Sequence, residues 1–421
     1  MPINMLAGAL SRSALRDLTH DGLLLFLTRF TRLFSYGALS VVLVVYLTGL
    51  GLSASQTGTL LTLTLLGDTV VSLLLTTQAD RIGRRRMLIV GAILMAAAGL
   101  SFACTSNFLF LVVAGTVGVI SPSGNEVGPF VSIEQAALSQ VIPAREITAV
   151  FAWYTLTGAM ATAAGSLFAG LFTQALQSTV ATPVGSERGI IFVYAALGLL
   201  LTLLFSRLSA AAEVDRHAGT GTTAKTALGI GSSRAVVLRL AGLFALDAFG
   251  GGFVVQSFAA YWFYLRFGVN PATLGGIFFG ANVLAGFSAL AASRIASRFG
   301  LIKTMVFTHL PSNILLILVP LMPNLALATL VLLLRFSISQ MDVPTRQSYT
   351  MAIVHPAERS AAAGITGVAR TIGAAIAPVF AGLLFARPSL MNLPFFIAGG
   401  LKIAYDLLLY RAFAGVQPPR A

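Results

Sequence analysis

The chain has 421 residues, of which 57% are hydrophobic and only 10% charged, with a mean hydropathy of +0.88. Soluble domains carry about 25% charged residues, so a water-soluble globule and a disordered chain are both excluded, and the single cysteine, Cys104, excludes a disulfide scaffold. The net charge of +13 would point to nucleic acid in a soluble protein; in an apolar chain its meaning depends on where the charges fall.

A membrane-crossing helix needs about 20 apolar residues to traverse about 30 Å of hydrocarbon. Twelve such stretches occur, at 20–47, 54–79, 87–105, 107–141, 147–176, 189–208, 236–266, 271–298, 301–320, 324–354, 359–386 and 391–414. The first 17 residues lack the apolar core of a cleavable signal peptide, so the first span is read as the insertion signal. Most connections are short and force antiparallel neighbours. The exception, 209–235, is rich in Gly, Thr and Ser, the composition of a flexible linker. It divides the chain into six-span halves, 1–208 and 236–421.

With both termini on one side, that side collects 18 of the 27 Lys and Arg residues, the opposite loops hold 3, and 6 lie inside spans. The positive-inside rule makes the populated side cytoplasmic. The expected architecture is an all-α membrane protein of twelve helices in two pseudo-symmetric halves, both termini cytoplasmic.

The halves align on each other. At an offset of 213, Asp80-Arg81-Ile82-Gly83-Arg84-Arg85 falls on Ser293-Arg294-Ile295-Ala296-Ser297-Arg298, and Pro143-Ala144-Arg145-Glu146 on Pro356-Ala357-Glu358-Arg359. Asn107 matches Asn324 at 217, which requires about four extra residues in the first half. Spans 4 and 10 occupy corresponding positions, and both are broken by proline beside an acid. Span 4 carries Pro122, Asn125, Glu126 and Pro129; span 10 carries Asp342 and Pro344. Proline removes a backbone donor, and in lipid the freed carbonyls need protein or water. Paired broken helices in matching repeats point to a transport site; a simple packing kink is the other reading.

The stretch Asp80-Arg81-Ile82-Gly83-Arg84-Arg85-Arg86 between spans 2 and 3 resembles the loop motif of the major facilitator superfamily, with Thr76 in place of its first glycine. The resemblance implies the twelve-helix fold of that family, alternating access, and a cytoplasmic latch formed by Asp80, Arg81, Gly83, Arg84 and Arg85. A carboxylate at Asp80 can accept from arginines and face a helix N-terminus. The motifs flanking sugar-porter loops are absent.

Charged groups within spans are expensive and mark function. Six bases (Arg29, Arg32, Arg335, Arg346, Arg370, Lys402) stand against six acids (Asp68, Glu126, Glu134, Asp247, Asp342, Asp406). Depth along the helices pairs Arg32 with Asp68, and i,i+4 spacing pairs Lys402 with Asp406. Glu134, Arg346 and Arg29 fall toward the cytoplasmic ends and read as gate, surface or interfacial groups. A proton-coupling carboxylate must be buried enough to hold a proton. Glu126 and Asp342 rank first, followed by Asp68 and Asp247. Candidate solute contacts are Arg32, Tyr36, Asn125, Tyr154, Gln256, Asn282, Arg335 and Arg370. Tyr261-Trp262-Phe263-Tyr264 reads as an interfacial aromatic belt. No phosphate loop, metal-ligand spacing or hydrolytic constellation is present, so no cofactor, metal or enzymatic activity is expected.

The expected function is proton-coupled efflux of a small drug-like or amphipathic solute by a monomeric, multi-pass transporter of the cytoplasmic membrane, without nucleic acid. The alternative is an organic or inorganic anion, taken up or exchanged, because arginine binds carboxylate and phosphate bidentately. A non-transporting sensor or channel on the same scaffold is a remote third.

Overall fold

A computed structural model describes residues 18–126, 128–142, 146–179, 182–213, 231, 233–355 and 358–415. Fifteen α-helices are described: α1 (His20–Gly49), α2 (Ala54–Ile82), α3 (Arg84–Cys104), α4 (Phe108–Val117), α5 (Phe130–Val141), α6 (Ile147–Thr179), α7 (Pro183–Ser206), α8 (Arg234–Gly252), α9 (Gln256–Phe267), α10 (Pro271–Phe299), α11 (Leu301–Leu318), α12 (Leu325–Ser339), α13 (Asp342–Ile353), α14 (Arg359–Phe385) and α15 (Leu393–Phe413). No strand occurs among the described residues. Three crossings are each built from two helices, α4 with α5, α8 with α9 and α12 with α13, so the fifteen helices account for the twelve expected spans. Most of linker 209–235, and the anchors Pro143-Ala144-Arg145 and Pro356-Ala357, lie outside the described residues.

The duplication read from the sequence recurs in the packing. In the first half the most extensive pairings are α1 on α6 and α3 on α7; in the second they are the corresponding α8 on α14 and α11 on α15. Asn107 and Asn324, aligned by the repeat, cap α4 and α12 by accepting from Phe110 N (3.1 Å) and Leu327 N (2.9 Å). An asparagine N-cap satisfies one of the orphan amides at a helix start. The capped helix α4 turns Leu109, Phe110 and Val113 outward, as lipid requires.

Chain packing divides the protein into two units: Met1–Leu52, Gly67–His217 and Phe263–Val283 in one; Ser53–Leu66, Ala218–Trp262 and Leu284–Ala421 in the other. The division departs from 1–208 and 236–421 in two places, each with a local cause. In the second unit the start of α2 lies against α14: a methyl group on Gly58 would stand 2.4 Å from the Pro378 carbonyl oxygen, and Val379 N donates to Thr62 Oγ1 at 2.9 Å. In the first unit the start of α10 lies against α6, where a methyl on Gly170 would meet the Pro271 carbonyl oxygen at 2.5 Å. Small residues permit such backbone approach in membrane helices.

The crossing of α1 on α6 is among the tightest. A methyl on Gly165 would sit 1.9 Å from the Phe34 carbonyl oxygen, and one on Gly37 would sit 2.1 Å from that of Thr162. Gly165→Val is therefore expected to lower the thermal unfolding midpoint in detergent, reflecting the loss of about 1–3 kcal/mol of stability typical of overpacking. Gly364→Val, at a position with nothing within 4 Å, is expected to leave the midpoint unchanged.

Candidate functional site

The broken helices are real interruptions, and their prolines start the following helix rather than kink a continuous one. Pro129 is the N-cap of α5, and Pro344 lies in the first turn of α13, where the missing amide costs little. The first break spans 118–129 and the second only 340–341, which is where the extra residues of the first half sit. Pro122 lies buried within the longer break. That break is held by Ser121 Oγ donating to the Asn125 carbonyl (2.8 Å) and Thr162 Oγ1 donating to the Gly124 carbonyl (3.3 Å).

Around the first break, α1, α5 and α6 assemble an ion network in the first unit. Glu134 is 0% exposed. It accepts from Arg32 at 2.7 and 2.9 Å, from Thr28 Oγ1 at 2.9 Å, and from the Tyr154 hydroxyl. Glu126 accepts from Arg29 and, at 3.2 Å, from Arg32. Arg29 also donates to the Tyr154 carbonyl at 2.6 Å and lies over the tyrosine ring at 4.1 Å; Arg32 lies 4.8 Å over Phe130. Three sequence expectations change here. Arg32 pairs with Glu126 and Glu134, not with Asp68. Arg29 and Glu134 are buried network members, not surface or interfacial groups. Depth counting misses this because Glu134 lies on the second, separately directed segment of a broken crossing.

Asp68 stands apart. It is 4% exposed, with no base within ion-pair distance among the described residues, and its Oδ1 has no hydrogen-bond partner. The backbone N–H of Gly128, in the first break, acts on its carboxylate. Tyr36 and Tyr194, stacked with ring centroids 6.3 Å apart, lie in its electrostatic neighbourhood. Asn282 donates to Ser166 Oγ at 3.3 Å, Asn125 is exposed, and Gln256 is buried.

The second unit holds a denser network centred on Asp247 of α8. Its carboxylate meets Lys402 at 2.6 Å, Arg346 at 3.2 Å, His309 at 3.7 Å and Arg370 at 3.8 Å. Arg346 reaches Asp342 at 2.8 Å. His309 and Asn313 both meet Asp406, each at 2.9 Å. Lys402 thus serves Asp247, and the expected i,i+4 partner Asp406 is taken by His309. Arg346, expected at a gate or surface, is buried between two aspartates. His309 escapes a search for metal spacing, since its partners lie 62 and 97 positions away; a histidine in mid-span is the signal that remains. Among the described residues Arg335 makes no hydrogen bond or ion pair within 4 Å; Asp247 and Asp342 act on it only at longer range. Arg370 Nη1 is buried without a hydrogen-bond partner.

Six interior bases still face six interior acids, but unevenly. The first unit has Asp68, Glu126 and Glu134 against Arg29 and Arg32; the second has Asp247, Asp342 and Asp406 against Arg335, Arg346, Arg370 and Lys402. The carboxylate in excess is Asp68. The guanidinium in excess is Arg335, and Arg370 reaches an acid only at the 3.8 Å limit of its contact with Asp247.

The loop between α2 and α3 holds the motif residues as a local cluster. Gly83 has φ +122°, a conformation that favours glycine, and Arg84 Nε donates to Asp80 at 3.0 Å. The N-terminus of α3 faces Glu213 rather than Asp80: the amides of Arg84 and Arg85 donate to it at 2.7 and 3.1 Å. Arg85 reaches the Leu208 carbonyl at 3.1 Å, while Arg81 is exposed. The aromatic belt is also corrected. Trp262 is fully buried and donates its indole N–H to Asn392 at 2.8 Å; Phe263 is buried, and only Tyr264 is exposed.

A bundle of apolar crossings with paired helix breaks and buried ion networks defines a multi-pass membrane transporter. The profile of the Major Facilitator Superfamily matches residues 25–378, and the chain belongs to that superfamily, whose members are alternating-access transporters and not enzymes. Over 427 residues it is 32% identical to "Uncharacterized membrane protein YJR124C" of Saccharomyces cerevisiae, covering 95% of each chain. Its fold is that of the nucleoside transporter NupG (TM-score 0.74, 13% identity, 94% of this chain and 99% of that one). It is likewise that of a bacterial homologue of the human lysosomal transporter Spinster in an inward-facing, occupied conformation (0.73, 16%, 95% and 98%). A D-xylose–proton symporter shares it too (0.69, 14%, 93% and 97%).

The reassigned pairs can be tested by double-mutant cycles on thermal unfolding. Lys402→Met with Asp247→Asn is expected to show coupling within the 0.5–3 kcal/mol (about) found for residues in contact. Lys402→Met with Asp406→Asn is expected to show the smaller value. The reverse order would restore the i,i+4 pairing.

Proposed function

We propose that the protein is a proton-coupled secondary transporter that exports a small amphipathic organic solute, with residues 1–208 and 236–421 as the moving halves, 209–235 as their linker, and both termini cytoplasmic. The observation that carries the coupling is Asp68, a buried carboxylate in mid-span with no cationic partner among the described residues. Burying an unpaired carboxylate costs several kcal/mol, and a proton removes that cost. Glu126 and Asp342, ranked ahead of it from sequence, and Asp247, ranked beside it, each already hold at least one base. Their charges are matched in place, so Asp68 takes precedence for proton exchange. The Asp80–Arg85 cluster serves as the cytoplasmic latch, a role that Glu213 shares by capping α3. The working unit is a monomer in the cytoplasmic membrane.

A second reading, transport of an organic or inorganic anion, is favoured by Arg335 and Arg370, guanidiniums that the interior acids do not fully satisfy. The two readings meet in an amphipathic organic anion whose carboxylate or phosphate lies on these arginines. Tyr36, Asn125, Tyr154, Gln256 and Asn282 are proposed as further solute contacts.

Proteoliposome flux separates the roles. Asp68→Asn is expected to abolish accumulation driven by a pH gradient while preserving solute exchange at zero gradient; accumulation at the wild-type level would contradict coupling at this residue. Arg335→Gln is expected to weaken an anionic solute by about 10- to 100-fold, the range of a lost charge-assisted hydrogen bond, and to leave a neutral analogue unaffected. Equal losses for both would remove the anion reading.

A further inference from the structure

A second acid is buried without a base, far along the chain from the networks above. Glu187, in the second turn of α7, is 5% exposed. Among the described residues it makes no hydrogen bond or ion pair. Its neighbour Arg188 is engaged by the Tyr46 hydroxyl, which donates in turn to the Phe102 carbonyl at 2.8 Å.

Glu187 lines a half-open cavity of about 240 Å³ in the first unit, bordered by the last turns of α1 and α6, the start of α7 and residues 264–274. Its polar wall adds Thr173 and Gln174, whose Oγ1 and Oε1 are buried and unpartnered. Its apolar wall includes Val41, Val42 and Leu274. No lysine, arginine or histidine is in the lining. The mouth is marked by Tyr264, Gly268 and Asn270, all exposed.

We infer that this cavity is a binding site for a small organic ammonium ion. A buried carboxylate with unsatisfied oxygen acceptors beside it calls for a cation that also donates hydrogen bonds. Size and wall chemistry choose between kinds of cation. The volume equals roughly eight water molecules at about 30 Å³ each, so a bare metal ion would leave most of it filled with water against valine and leucine. An alkylammonium places its charged head on Glu187, its N–H groups on Gln174 and Thr173, and its alkyl chain on the apolar wall. Residues 269–274 and α6 share this wall, so the bound cation ties the start of α10 to α6 and α7. Neither Asp68 nor Arg335 is in the lining, so the site stands whether or not the proposed coupling does.

The probe is n-butylammonium, with n-butanol as the uncharged analogue of similar shape. Calorimetric titration of the purified full-length protein at about pH 8.5 keeps the amine cationic, since alkylamines resemble the lysine side chain with a pKa of about 10.4. The wild type is expected to bind butylammonium at least tenfold more tightly than butanol, and Glu187→Gln to bind both alike with an unchanged melting profile. Val42→Phe, which fills the cavity and keeps the acid, is expected to lose butylammonium binding and covers the case in which Glu187→Gln fails to fold. Wild-type protein that binds both probes equally, or folded variants that retain its butylammonium affinity, overturns the assignment.

Discussion

The structure depends on one constraint: a charge within hydrocarbon must find its counter-charge inside the protein. Arg32 and Glu134 are both 0% exposed, and neither would be tolerated alone. Breaking a buried pair by removing one partner costs about 3–5 kcal/mol, so their fixed geometry holds α1, α5 and α6 in register. Glu134 reaches Arg32 only because the crossing is broken at 118–129, which redirects α5. The helix break and the ion network are therefore one device. The loss of helical hydrogen bonds in the break is offset by local contacts such as Ser121 to Asn125 and by the ion pairs that the redirected segment makes.

The second unit repeats the design with a different balance. Asp247 receives four basic groups, Asp342 shares one of them, and Asp406 is satisfied by His309 and Asn313. Duplication preserved the helix pairings, the asparagine caps and the broken crossing, while the charges diverged. The first unit is left with a carboxylate to spare and the second with guanidinium to spare. That asymmetry lies among groups carried by the membrane-crossing helices, and it is the basis on which we propose separate places for a coupling ion and a solute.

The twelve crossings, the repeat and the broken helices were legible because they rest on local signals: runs of apolar residues, asparagine caps, and proline beside an acid. The loop motif at Asp80 led to the right family. Partners in the interior were not legible. Helical depth pairs Arg32 with Asp68 only if span 4 is one straight rod, and i,i+4 spacing pairs Lys402 with Asp406 only if no stronger partner comes from another helix. Asp247 is that partner, 155 positions away. Trp262 was misplaced for a related reason: an aromatic near a helix end favours the interface unless tertiary packing supplies its indole with an acceptor, as Asn392 does. Glu187 was hidden because a charge near a loop normally meets water, and only the fold of α1, α6, α7 and residues 264–274 over it removes that water.

Proton coupling is proposed at Asp68, among the charged groups of the spans the acid left without a base. Infrared difference spectroscopy between low and high pH on the purified protein resolves the carbonyl band of a protonated carboxylic acid in an apolar setting. A titrating component lost in Asp68→Asn and retained in Glu134→Gln and Glu187→Gln is the predicted result. A difference spectrum of Asp68→Asn identical to that of the wild type would place the exchangeable proton elsewhere and contradict the account.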